Sequence, residues 1–260
     1  MSSSSLCEKS QAELNDALRD WFSRGAGARL LDAEQTLLAR LSEDVFGYHL
    51  VQVQDYGHTL DAFADCPVKY RSLLDRGGDS TAGVSARALS EQLPLASDAV
   101  DLVVLPHTLD FSLDPHLVLR EAERILIPEG RVLIVGFNPI SLWGLWRGVL
   151  RWRGNVPWCG RFLSYRRIVD WLVLLGFDIE YSDVCAFAPP LDSDTWARRV
   201  GRGENLGRRV WPMLAGVYVV RAVKRVSTIR PIKSGWSSLR VFGPSAIEPS
   251  ARNGVNRTTE

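Results

Sequence analysis

The sequence predicts an α/β fold built on a doubly wound sheet, mostly parallel with an antiparallel last strand. Three observations carry that expectation. Leu102-Val103-Val104-Leu105, opened by Asp101 and stopped by Pro106, is apolar at every position, as a parallel strand buried on both faces requires. A second such run, Val132-Leu133-Ile134-Val135, follows a stretch of helical periodicity, so Leu93 to Asn138 reads as strand, helix, turn, strand, right-handed by default. Gly216 to Lys224 alternates like a closing antiparallel strand.

The elements follow in chain order. After a serine-rich start, Leu14, Leu18 and Trp21 give Gln11 to Phe22 a helical spacing. Gly25-Ala26-Gly27 reads as a break, with Asp32 capping a second helix, Ala33 to Leu41, whose stripe is Leu37, Leu38 and Leu41. Tyr48 to Val53 predicts the first strand, Val68 to Leu74 the second and Val84 to Ala88 a short third. Too few residues separate the first two strands for a full helix, so that helix is abbreviated. Asp114-Pro115 supplies an N-cap carboxylate and a proline at the first helical position, before Val118, Ala122, Ile125 and Leu126 at helical spacing. Pro128-Glu129-Gly130 is a turn before the fifth strand. Arg166 to Leu175 is amphipathic, and Gly176 ends it before a sixth strand from Phe177.

At 260 residues the chain can hold one α/β domain with peripheral sequence. The expected divisions are a helical extension over 1–26, the main domain over 27–224 with a Trp/Arg-rich insert near 139–165, and a disordered tail over 225–260, where Ser, Pro, Gly and Arg lack periodicity. Apolar residues at 46% and charged residues at 23% are ordinary globular values. A formal net charge of +1 argues against nucleic acid as a partner. Cys7, Cys66, Cys159 and Cys185 have no ligand spacing, so neither a metal nor a disulfide is expected. No leader pattern and no apolar run of about 20 residues is present, which predicts a cytoplasmic protein.

Leu93-Pro94, Ser97-Asp98, Asp101-Leu102-Val103-Val104, Glu121-Ala122, Arg124-Ile125-Leu126, Pro128-Glu129-Gly130 and Phe137-Asn138-Pro139 together resemble the second half of a class I S-adenosylmethionine-dependent methyltransferase of the type-11 subfamily, a Rossmann-like fold. The resemblance implies S-adenosylmethionine as cofactor and a small or lipid-like methyl acceptor. It also implies a first strand that ends in an acid followed by alternating glycines, which let the backbone approach the cofactor. Here Gln52 takes the acidic position and Gln54-Asp55-Tyr56-Gly57-His58 the loop, a degenerate motif in which Gly57 is either a cofactor contact or an ordinary turn. The helix over Ala33 to Leu41 is either a cover of the cofactor cleft, as in that family, or plain sheet cover.

Asp75 stands where the family keeps an acid for the ribose hydroxyls, the alternative being a turn aspartate before Gly77-Gly78. Leu89 replaces the aspartate expected at the adenine, with Ser90 or Glu91 as substitutes. Pro106 and His107 lie at the carboxyl end of the fourth strand, where ligands bind in open α/β sheets. His107 is the candidate catalytic base, its ordinary pKa of about 6.5 suiting that task, or else a cofactor contact or a loop cap. The eroded motif keeps open a second reading, a non-catalytic binding or regulatory protein. A nicotinamide oxidoreductase is excluded because no G-x-G-x-x-G follows the first strand.

Trp143, Trp146, Trp152 and Trp158, mixed with Arg147, Arg151, Arg153 and Arg161, read in two ways. One is an interfacial segment, with peripheral membrane contact at the inner face through Trp143, Trp146, Arg147 and Trp152. The other is an aromatic lid packed on its own domain.

Overall fold

A computed structural model describes residues 11–54, 61–64, 66–76, 84–150, 155–187 and 214–226. Its strands are β1 (Gly47–Gln54), β2 (Val68–Asp75), β3 (Ala86–Arg87), β4 (Val100–Pro106), β5 (Leu126–Phe137), β6 (Phe177–Cys185) and β7 (Val217–Lys224). They form one seven-stranded sheet in the order β3-β2-β1-β4-β5-β7-β6. Only β7 is antiparallel to its neighbours, β5 and β6. The predicted mixed sheet with an antiparallel last strand is therefore the observed one.

The helices are α1 (Gln11–Phe22), α2 (Gly25–Ser42), α3 (Thr108–Phe111), α4 (Pro115–Ile125), α5 (Leu142–Leu150) and α6 (Tyr165–Leu174). Because successive strand residues face opposite sides, Leu102 and Val104 join the core formed with α1 and α2, whereas Val103 and Leu105 join the core formed with α4 and α6. Both sheet faces are covered, which is why the strands read as continuous apolar runs rather than alternations.

α4 starts as the sequence predicts. The Asp114 carboxylate accepts from the N–H groups of His116 and Leu117 at 3.0 and 3.3 Å, and Pro115 occupies the first helical position. Among the described residues between β1 and β2 there is one 3-10 turn, Asp61–Phe63.

Four local readings are corrected. α2 begins at Gly25, so the glycines form its first turn and Asp32 lies inside the helix instead of capping it. Gly25 (φ 51°) makes the turn, and Gly27 lets α2 approach α1 so closely that a Cβ there would stand 2.2 Å from the Trp21 carbonyl oxygen. The third strand shrinks to Ala86–Arg87. Pro128-Glu129-Gly130 falls within β5, with Glu129 in the left-handed region (φ 64°) where the register shifts against β4. Cys159 is disulfide-bonded, while Cys66 and Cys185 are free and buried; spacing along the chain does not reveal which thiols meet in space. No helix among the described residues is long and apolar enough to cross a membrane. The tail from 227 onward lies outside the described residues.

Candidate functional site at the carboxyl ends of the central strands

The chain proceeds from β1 to β2 on one side and later returns through β4 on the other, so the sheet order reverses between β1 and β4. At such a switch point the loops leaving adjacent strands diverge and open a crevice. Near the carboxyl ends of these strands stand Gln52 and Gln54 on β1, Asp75 on β2, and Pro106 on β4 with His107 directly after it, all of them buried.

Gln54 and Asp75 are register partners across β1 and β2, and both are buried. The Gln52 side-chain amide donates to Gln54 Oε1 at 2.5 Å. Gln54 Nε2 is buried and has no hydrogen-bond partner among the described residues, an exception to the usual satisfaction of interior donors. Thr108 Oγ1 donates to the Val53 carbonyl at 2.6 Å and fastens the start of α3 to the β1 exit. Gly57 lies outside the described residues.

His107 occupies the left-handed backbone region (φ 52°) between β4 and α3. Its ring is wholly buried, stacked on Phe137 with centroids 4.0 Å apart, with Phe22 at 5.6 Å. Nδ1 lies 2.9 Å from Asp110 Oδ2 and Nε2 lies 2.7 Å from Glu34 Oε1. Asp110 Oδ2 also accepts the Phe137 N–H at 3.0 Å. Burial alone would lower the imidazole pKa, but the Glu34 charge and the hydrogen bonds to Asp110 and Glu34 outweigh it and push it up to about 9. Burial lifts the Asp110 carboxyl above its usual range, against the pull of His107. With both nitrogens protonated, the ring donates to a carboxylate on each side and retains no lone pair with which to accept a proton.

Glu34 and Asp110 complete this buried cluster and were not singled out by the sequence reading. Glu34 shares the buried stripe of α2 with Leu30, Leu37, Leu38 and Leu41. A carboxylate on an apolar stripe was the available signal. Asp110 follows His107 by three residues, a spacing that one helical turn brings together. Glu91, a suggested adenine acceptor, is occupied by Arg76 and by the Leu113 N–H, and Ser90 is buried beside it, donating to the Glu91 carboxylate.

The Trp/Arg-rich insert divides. Trp143 and Trp158 are core residues, 5.9 Å apart at their ring centroids, and Trp143 is also 5.9 Å from Phe137. Trp146 is exposed, and Trp152 lies outside the described residues. Arg147 turns inward, donating from Nε to the Gly160 carbonyl at 2.8 Å and standing over the Phe162 ring.

The model of a methyltransferase domain family matches residues 71–134, the stretch from the middle of β2 into β5. The uncharacterized protein YafS of Escherichia coli (strain K12) is 31% identical over 199 residues, 76% of this chain and 78% of YafS. This chain belongs to the class I methyltransferase family. Solved structures share the methyltransferase fold. An S-adenosylmethionine-dependent methyltransferase from Thermotoga maritima has a TM-score of 0.57 at 19% identity, covering 79% of this chain and 93% of that one. Geranyl diphosphate C-methyltransferase from Streptomyces coelicolor A3(2) has 0.52 at 14%, covering 76% and 80%.

Within this chain the family match takes in Asp75, Pro106 and His107 and does not reach β1. The loop that follows β1 lies outside the matched residues.

Proposed function

We propose that this protein transfers a methyl group from S-adenosylmethionine to a small or lipid-like acceptor, in the cytoplasm or at the inner face of the membrane. The observation that supports it most is the donor set at the switch point. A buried carboxylate, Asp75, ends β2 beside a buried amide donor at the end of β1, Gln54 Nε2, that has no partner among the described residues. A carboxylate offers two acceptor oxygens to a pair of hydroxyls, and an amide N–H needs an acceptor. A ligand with a ribose diol and heteroatom acceptors fits both.

S-adenosylmethionine, when bound, supplies an electrophilic methyl group on a sulfonium centre. The chain's own residues then have separable tasks. Asp75 would hold the ribose hydroxyls and Gln54 a neighbouring acceptor atom. The Glu34–His107–Asp110 cluster ties α2 to the β4 exit and so fixes a wall that keeps water out. Methyl transfer asks the protein chiefly for alignment, and with both ring nitrogens engaged His107 serves as a positioning residue rather than a base. The Streptomyces relative, whose structure contains S-adenosylhomocysteine and geranyl diphosphate, supports both the cofactor and a lipid-like acceptor.

Calorimetric titration with S-adenosylmethionine tests the proposal. Saturable binding that weakens roughly tenfold or more in Asp75→Asn, as loss of a charged hydrogen-bond acceptor predicts, is the expected result. No detectable binding at millimolar cofactor overturns it. The second reading, a non-catalytic binding or regulatory protein, would then stand, and it is the reading favoured by the Gln52–Gln54 amide pair in place of an acid at the β1 exit.

A further inference from the structure

α5 leaves the carboxyl end of β5 and presents two unlike faces. On the inner side Trp143 is buried edge-on to Trp21 at 6.1 Å, and Arg147 packs over Phe162. On the outer side Leu142, Leu145, Trp146 and Val149 recur at the spacing of one helix face, within about 100° of its circumference. All four are exposed, Leu145 and Val149 by 68% and 69%, and Ile140 just before the helix adds a further exposed apolar side chain. A soluble domain rarely leaves such a contiguous stripe to water without use.

Charge decides what could cover it. Between Glu129 and Asp170 the sequence contains seven arginines and no acidic residue; Arg131 is paired with Glu180 and Arg147 turns inward, while Arg151 and Arg153 directly follow α5 in the sequence and Arg161, Arg166 and Arg167 lie further on. Among these, Arg161 follows Gly160, whose carbonyl accepts from Arg147 of α5. A second copy meeting this stripe across a twofold axis would bring two cationic segments together. An RNA would satisfy the arginines but not the aliphatic side chains. An anionic bilayer surface satisfies both, since acyl chains accept the apolar stripe, lipid phosphates accept the guanidinium groups, and Trp146 suits the headgroup boundary.

We propose that the outer face of α5, formed by Leu142, Leu145, Trp146 and Val149 with Ile140, docks this protein on a bilayer of anionic phospholipid. α5 lies in the plane of the interface. Through Trp143 and Phe137 the docked helix backs directly onto the His107 cluster, so the switch-point site lies beneath the membrane-bound face. This inference needs no methyl transfer, and cofactor titration reads that reaction's premise separately.

Cosedimentation of the full chain with phosphatidylglycerol vesicles and with phosphatidylcholine vesicles tests it. The expected result is partition onto phosphatidylglycerol vesicles that falls with added salt, is weak on phosphatidylcholine, and drops roughly tenfold or more in Leu145→Glu/Val149→Glu. An unchanged thermal midpoint shows that the variant folds; Leu145→Ser/Val149→Ser serves the same purpose with less charge if it does not. Failure of the unmodified chain to sediment with phosphatidylglycerol overturns the proposal, as does undiminished sedimentation of a folded variant. So does self-association, read by light scattering, that the substitutions abolish while vesicles leave it intact.

Discussion

Asp110 shows how much a single side chain can hold in place here. One carboxylate oxygen accepts from the His107 ring and from the Phe137 backbone, which links the α3 turn to the end of β5. Removing one member of a buried charged group strands the others, at a cost of about 3–5 kcal/mol. Asp110→Ala is therefore expected to lower stability by about that amount in chemical denaturation, and Asp110→Asn, which retains an acceptor, by clearly less. A loss of less than about 1 kcal/mol in Asp110→Ala would show that the cluster is not what holds α3. The residues at this scale were only partly legible. His107 and Asp75 stand out because strand ends are predictable and few polar residues occupy them. Glu34 did not, because its partner is 73 positions away and only the packed fold brings the two to 2.7 Å.

Elements were more legible where local chemistry is decisive. α4 has its cap, its proline and its stripe in consecutive residues, and the structure reproduces each. α2 was misplaced because glycine has two meanings in a sequence: a break, or a site of close approach. The two meanings predict opposite effects of alanine. At Gly27 a Cβ meets the Trp21 backbone, so α1 and α2 must separate, and Gly27→Ala is expected to cost about 1–3 kcal/mol despite the better helix propensity. At Gly148 in α5 a Cβ meets nothing within 4 Å, and Gly148→Ala should stabilise by up to about 1 kcal/mol. Thermal or urea unfolding of the two variants side by side checks the pair. Stabilisation by both would mean that α1 and α2 do not pack at the observed distance.

At the scale of the whole molecule, the buried titratable groups give stability a direction in pH. His107 has an ordinary value of 6.5 and is pushed up to about 9 in the fold. A raised value means that the folded state holds the proton more tightly, so the contribution is complete below 6.5 and is lost as pH rises toward 9. Asp110, raised by burial, acts in the same sense, since each step toward its ionised form is disfavoured in the fold. Tyr218, buried and held well above its ordinary value of 10, extends the loss into stronger alkali. On the acid side Glu121 is lowered by its bond to Arg124 and Asp44 by its bond to Arg221, so their contributions are present above their ordinary values of 4.5 and 3.8 and vanish as pH falls below them. The alkaline limb is steeper because its groups are buried, whereas the acid-side pairs are screened by solvent. Stability is thus expected to fall by roughly 2–3 kcal/mol between pH 6.5 and 9. In His107→Gln, which is less stable throughout but cannot titrate, that interval should be nearly flat. Equal slopes in the two proteins, read from denaturation midpoints across the interval, would assign the alkaline limb to other groups and remove the imidazolium from the folded state at neutral pH.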